Sequence, residues 1–307
     1  MSSSVDLDAS AASPVAGERL SLRAADGYPL VAHRFRSPTP PRAHLVVGGA
    51  TGVPQGFYRR FAEHAAQRGF DVLTLDYRGI GQSAPATLKG FRMDYLDWGR
   101  LDLAAGVEAM RLDGVPLYLV GHSYGGHALG LLPDPSAVDG AYTFATGAGW
   151  HGWMPPLERL RVLFLWRVLG PVWTRAAGYL PWSRLGMGED LPLDVYRQWR
   201  RWCNYPRYFF DDPHMQAVTE RFDDVRFPIV AVNALDDAWA PPASRDAFMA
   251  GYRNTAVRAV SIDPRRAGLG AIGHMGYFRP RARPLWNDAL DWFEGQRAQA
   301  LPVKVVR

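Results

Sequence analysis

A serine that attacks a carbonyl needs a turn that thrusts it outward, a base for its proton and an acid to hold that base. Gly121-His122-Ser123-Tyr124-Gly125 supplies the turn. It follows the apolar run Val115-Pro116-Leu117-Tyr118-Leu119-Val120 and precedes Gly126 to Leu132, which reads as a helix. Strand, sharp turn and helix together make the setting of a nucleophile elbow. Its flanking positions must be small because strand and helix nearly touch there, which suits glycine. The G-x-S-x-G pattern alone recurs by chance; this setting gives it weight.

The base is sought among the histidines. In the triad order Ser…Asp/Glu…His, acid and histidine both follow the nucleophile. His127, His151, His214 and His274 lie beyond the elbow. His127 falls on the elbow helix, and His151 and His214 in an aromatic-rich insertion. His274, in Gly273-His274-Met275-Gly276-Tyr277-Phe278, sits on a loop after the final strand with glycines on both sides. Such a loop can carry an imidazole over the sheet edge to the serine. The acid is expected at the end of Ile229 to Ala234, where Asp236 and Asp237 are adjacent. Adjacent side chains rarely point the same way, so one of the two is a turn or capping residue. The preceding strand end, Thr146-Gly147-Ala148-Gly149, offers no carboxylate.

These residues need a scaffold, and the chain alternates strand and helix patterns along most of its length. That alternation predicts a mostly parallel sheet covered on both faces. Glu18 to Ala24 and Pro29 to Phe35 flank Asp26-Gly27, a hairpin signal. Further strands are expected at His44 to Val47, Phe70 to Asp76, Val138 to Phe144, Pro228 to Ala234 and Val257 to Ile262. Helices are expected at Phe57 to Arg68, Met93 to Leu112, Ser244 to Gly251 and Pro284 to Glu294. Between two of the strands lies an interruption, Trp150 to Phe222, holding seven of the eleven tryptophans. There it can cover the carboxyl ends of the strands, where open α/β sheets bind ligands. It reads as a helical cap, or lid, whose aromatics pack its own core and line an apolar pocket.

Composition narrows the alternatives. The chain is 48% hydrophobic and 21% charged, an ordinary globular balance. The net charge of +5 comes from scattered arginines without a nucleic-acid motif, so no nucleic-acid partner is expected. A single cysteine, Cys203, excludes an intramolecular disulfide and suits a reducing compartment. The first seventeen residues have no basic start or apolar core and read as a disordered tail rather than a signal peptide. The most apolar stretch, Leu160 to Leu169, carries Arg161 and Arg167 and is too short to span a bilayer. A cytoplasmic location without a transmembrane segment is expected. No metal-ligand spacing occurs, so neither metal nor cofactor is expected.

The chain resembles the α/β-hydrolase superfamily, in the branch of serine-aminopeptidase-like and monoglyceride-lipase-like hydrolases, and within it bacterial α/β hydrolases. The resemblance rests on Pro54-Gln55-Gly56-Phe57-Tyr58, Leu75 to Ser83, the elbow, Gly188-Glu189-Asp190-Leu191-Pro192, Leu235-Asp236-Asp237 and Gly273-His274-Met275-Gly276. It covers about residues 18 to 296 and implies a core of 18–149 and 223–299, with a cap at 150–222 after the sixth strand. Relatives often carry the acid as Asp-x-x-x-Pro, here Asp237 to Pro241, which favours Asp237 over Asp236. The resemblance also makes the glycine-punctuated loop Asp76 to Gly81 structural.

The oxyanion hole needs two backbone N–H groups. Tyr124, after the nucleophile, supplies one. Many relatives have His-Gly after the first central strand, where this chain has Gly48-Gly49; aligned on that motif, Ala50 supplies the second, with Thr51 next in line. The implied activity is hydrolysis of an ester or related acyl bond of a small apolar substrate. A peptidase, amidase or acyltransferase would use the same triad, and a non-catalytic binding module would keep the fold without turnover. An aspartate replaces the serine in dehalogenase and epoxide-hydrolase relatives, which disfavours those activities.

Overall fold

The computed structural model describes residues 15–186 and 188–300. The expected tail falls outside the described residues up to residue 14, and Gly17 already opens the first strand. β1 (Gly17–Arg23) and β2 (Pro29–Phe35) form the antiparallel hairpin, with Gly27 at φ +85° in its turn. β3 (Ala43–Gly48), β4 (Phe70–Leu75), β5 (Leu117–His122), β6 (Gly140–Phe144), β7 (Ile229–Ala234) and β8 (Val257–Ile262) run parallel. The described strands make one eight-stranded sheet in the order β1-β2-β4-β3-β5-β6-β7-β8.

The expected parallel sheet is therefore present, and its strands from β3 to β7 are buried along their whole length. Burial on both faces explains their continuous apolar runs. The period of two still sorts side chains to the faces. Val46, Leu73 and Leu119 join one apolar cluster, and Leu45, Val72 and Val120 join the other.

α1 (Arg59–Gln67) packs its Phe61 and Ala65 into the second cluster, as does α9 (Arg283–Ala300) through Trp286 and Phe293. Opposite them lie α2 (Ala104–Met110) and the elbow helix α3 (Tyr124–His127), which tightens into a 3₁₀ turn over Ala128–Leu131. The long helix expected from Met93 begins only at Trp98, as a π-helical turn over Trp98–Leu103. Side chains hold the backbone upstream of it. The N–H groups of Met93, Tyr95 and Leu96 donate to Asp194, Gln198 and Asp94. These bonds anchor the non-helical segment ahead of that turn.

Between β6 and β7 the described chain is helical: α4 (Pro156–Phe164), a π-helical Leu165–Leu169, α5 (Gly170–Ala177), α6 (Leu193–Trp202) and α7 (Gln216–Thr219). Trp166, Trp182 and Trp202 are buried in the same apolar cluster as Leu129 and Tyr95 beneath them. The insertion therefore shares its core with the sheet. On the α4–α5 outer side Leu157, Leu160, Phe164, Val168 and Val172 are exposed. α8 (Pro242–Met249) follows β7. No described helix is long and apolar enough to cross a membrane.

Candidate active site

Ser123 caps the junction of β5 and α3 with φ 51° and ψ −107°. A residue with a Cβ occupies that region only when its surroundings over-determine it. Here they do. The Ser123 N–H donates to the Phe144 carbonyl at 2.8 Å, and its own carbonyl accepts from Gly126 N–H at 3.0 Å and Thr146 Oγ1 at 3.1 Å. Strand and helix approach so closely that a Cβ on Gly121 would sit 2.8 Å from the Gly125 carbonyl carbon.

The other two expected residues meet the serine. His274 Nε2 lies 3.0 Å from Ser123 Oγ, and His274 Nδ1 lies 3.0 Å from Asp237 Oδ2. The sequence left Asp236 and Asp237 to be separated by motif; the geometry separates them by direction. Asp237 is buried at the end of β7, and its Oδ1 also accepts the N–H groups of Trp239 and Ala240 at 3.0 and 2.9 Å. Those two bonds close a tight turn that fixes the carboxylate. Asp236 points into the histidine loop instead, where its carboxylate accepts the N–H groups of Ile272 and Gly273 at 2.9 and 3.1 Å. One aspartate faces the imidazole, and its neighbour anchors the loop that carries it. His127 donates to the Gly147 carbonyl and does not approach the triad in this geometry.

A buried polar relay runs beneath the site. The Ala50 N–H donates to Tyr58 Oη at 2.8 Å, Tyr58 Oη lies 2.9 Å from His122 Nδ1, and His122 Nε2 lies 3.0 Å from the His274 carbonyl. Burial pushes the His122 imidazole down to about 3, so it is neutral at ordinary pH. A neutral ring accepts on one nitrogen and donates on the other. The consistent assignment has Tyr58 donating to Nδ1 and Nε2–H donating to the carbonyl. The relay links the loop after β3 to the loop that carries His274.

This relay bears on one expectation. Ala50 was expected as the second oxyanion donor, but its N–H is consumed by Tyr58. Ala50 and Thr51 both border the cavity above Ser123, and Thr51 N–H makes no hydrogen bond among the described residues. Its side chain is tied to Tyr95 Oη. Tyr124 is the first residue of α3, where helix geometry leaves the N–H without an intrahelical partner.

The cavity over Ser123 has a volume of about 210 Å³. Thr51, Trp182, Trp199, Trp239, His274 and Met275 border it, with no Asp, Glu, Lys or Arg among the described lining. Trp182 and Trp199 come from the insertion, their rings 5.6 Å apart. Trp239 belongs to the acid loop and was not singled out by sequence. A larger hollow of about 470 Å³ lies at the opposite strand ends, beside Leu117, Arg111 and Arg297, and no histidine is among its described lining. The glycine-punctuated loop is structural: Asp76 accepts from the Gln55 side chain and from Gln82 N–H, while Arg78 pairs with Asp102 and Asp26.

Fold and site together have the arrangement of an α/β hydrolase. The serine aminopeptidase S33 family matches residues 39–184, which takes in β3, the elbow and the first part of the insertion but stops short of Asp237 and His274. Similar solved structures include a soluble variant of monoglyceride lipase from Saccharomyces cerevisiae in complex with a substrate analogue. It is 15% identical, with a TM-score of 0.62 over 92% of this chain and 95% of that one. An esterase of Pyrococcus furiosus matches at 11% identity and TM-score 0.56, over 92% of this chain and 93% of that one. An acylaminoacyl peptidase of Pyrococcus horikoshii matches at 14% identity and TM-score 0.59, over 92% of this chain and 42% of that one. No curated protein sequence matches significantly. The chain has the α/β-hydrolase fold. The family match covers β3 to β6 and the elbow, and the neighbours share the fold over nearly the whole chain.

Proposed function

We propose that the protein is a serine hydrolase acting on esters of small, apolar acids through an acyl-enzyme intermediate. The observation that carries the reading is the continuous hydrogen-bond path from Asp237 through His274 to Ser123 Oγ, with contacts of 3.0 Å at each step. In that path Ser123 Oγ attacks the substrate carbonyl while its proton passes to His274 Nε2. The carbonyl oxygen becomes an oxyanion, which the N–H groups of Tyr124 and Thr51 stabilise. His274 returns the proton to the leaving alkoxide as the acyl-enzyme forms. It then takes a proton from water, whose oxygen attacks the ester and releases the acid with Ser123 restored. Asp237 keeps the imidazole in the required tautomer and stabilises its charged form throughout.

The apolar, aromatic cavity favours an uncharged acyl group, because a charge there would lose its hydration without an opposite charge to meet it. Its size falls below the ~300–1,000 Å³ of pockets that hold drug-sized ligands, which favours a short substrate. Ser123→Ala is expected to lower ester turnover by ~10⁴-fold or more and to abolish labelling by a fluorophosphonate probe. The assay is p-nitrophenyl ester hydrolysis with aminoacyl anilides alongside. Full activity in the variant overturns the mechanism, and preference for the anilides moves the reading to a peptidase.

A further inference from the structure

Trp239 stands where three parts of the molecule meet. Its backbone N–H is held by the Asp237 carboxylate at 3.0 Å. Its ring lies 6.2 Å from the His274 ring and 6.0 Å from that of Trp199 on α6. Its indole Nε1–H donates to Glu158 Oε1 of α4 at 2.8 Å. The acceptor is a carboxylate, which makes this bond stronger than one between neutral groups. Glu158 is itself mostly buried, and its other oxygen lies 3.5 Å from the exposed Arg161. An indole left free would swing about two torsions. Here one edge is tied to the insertion while its backbone is tied to the acid, so the ring is a fixed wall of the cavity over Ser123.

We propose that Trp239, latched by Glu158, sets the upper size of the acyl group and confines the enzyme to short-chain or single-ring esters. The inference rests on the serine-hydrolase reading and names the substrate class of that same cavity. The cavity is about 210 Å³ with Trp239 in place. Removing the indole opens it toward the α4–α6 side of the insertion, because Glu158 and Trp199 are the groups that the ring touches there. Trp239 is thus a specificity-determining residue and Glu158 a positioning residue that acts through it. Neither takes part in bond making.

The test is the chain-length profile of kcat/KM on p-nitrophenyl esters from acetate to decanoate, with benzoate included. It is run on the wild type, Trp239→Ala, Trp239→Phe, Glu158→Ala and Glu158→Gln. The wild type is expected to fall off beyond the short esters. Trp239→Ala is expected to raise the long-to-short ratio of kcat/KM by ~10-fold or more, in the range that one pocket wall can discriminate. Trp239→Phe keeps an aromatic wall but loses the latch, so it shifts the profile less. Glu158→Ala broadens the profile, and Glu158→Gln restores it, because the amide oxygen still accepts from the indole.

A uniform drop across all esters in Trp239→Ala and Glu158→Ala, with the order of chain lengths unchanged, overturns the inference and leaves the hydrolase reading standing. A wild type that hydrolyses none of the esters and takes no fluorophosphonate label overturns both.

Discussion

The hydroxyl of Tyr58 accepts from the Ala50 N–H and bonds His122, with the residue itself fully buried. Removing it leaves a backbone donor and a ring nitrogen without partners inside the protein, at a cost of ~1–3 kcal/mol for each group so stranded. Tyr58→Phe should therefore lower stability in urea denaturation by roughly that amount. The same change frees the loop that holds Thr51, so kcat should fall more than KM rises. Wild-type stability together with wild-type kcat would show that the relay holds neither the loop nor the fold. Ser123 and His274 were legible in the sequence because a triad leaves local signs: an elbow between strand and helix, and a glycine-flanked histidine after the last strand. The relay leaves none. Tyr58 and His122 are 64 positions apart, and nothing in either neighbourhood marks a tyrosine as the acceptor of a loop N–H.

Among the elements, β3 and α3 come closest together beside Ser123. A methyl group on Gly125 would collide with the carbonyl oxygen of Gly48 at the end of β3, and one on Gly121 would press on the backbone of α3. Neither backbone can yield, because β3 is hydrogen-bonded on both sides, to β4 and β5. Gly125→Ala should cost ~3 kcal/mol or more, as overpacking and strain act together. Thermal denaturation with activity on any residual folded protein measures it; a loss under 1 kcal/mol would mean that strand and helix separate easily. The requirement for glycine at the elbow was readable from the motif. The start of α2 was not: an apolar period suggested a helix from Met93, but Asp194 and Gln198, a hundred positions away, anchor Met93 and Tyr95 in a non-helical segment ahead of it. Tertiary partners, absent from any local pattern, moved that boundary.

At the scale of the whole molecule, the insertion and the sheet share an interior. Tyr95, beneath the insertion, stacks on Trp202 of α6 with ring centroids 5.7 Å apart, and Gln198 bonds both Tyr95 N–H and Asp94. Trp166, Trp182 and Phe209 belong to the same apolar cluster as Leu119 and Leu129 of the core. A cap that merely rested on the sheet would open at a free energy well below that of global unfolding. One that completes the sheet's own core exposes apolar surface on both sides when it leaves, so its opening should approach the global value. Cys203, the only cysteine in the chain, reports on this directly. It is buried at the end of α6, and burial pushes its thiol above the ordinary range, so it reacts slowly while the insertion is seated. Its labelling by a thiol reagent across a urea series is expected to follow the same free energy as unfolding measured by far-ultraviolet circular dichroism. Labelling at a markedly lower free energy would show that the insertion lifts as a separate unit. The tryptophan lining of the cavity would then be a transient wall rather than a fixed one.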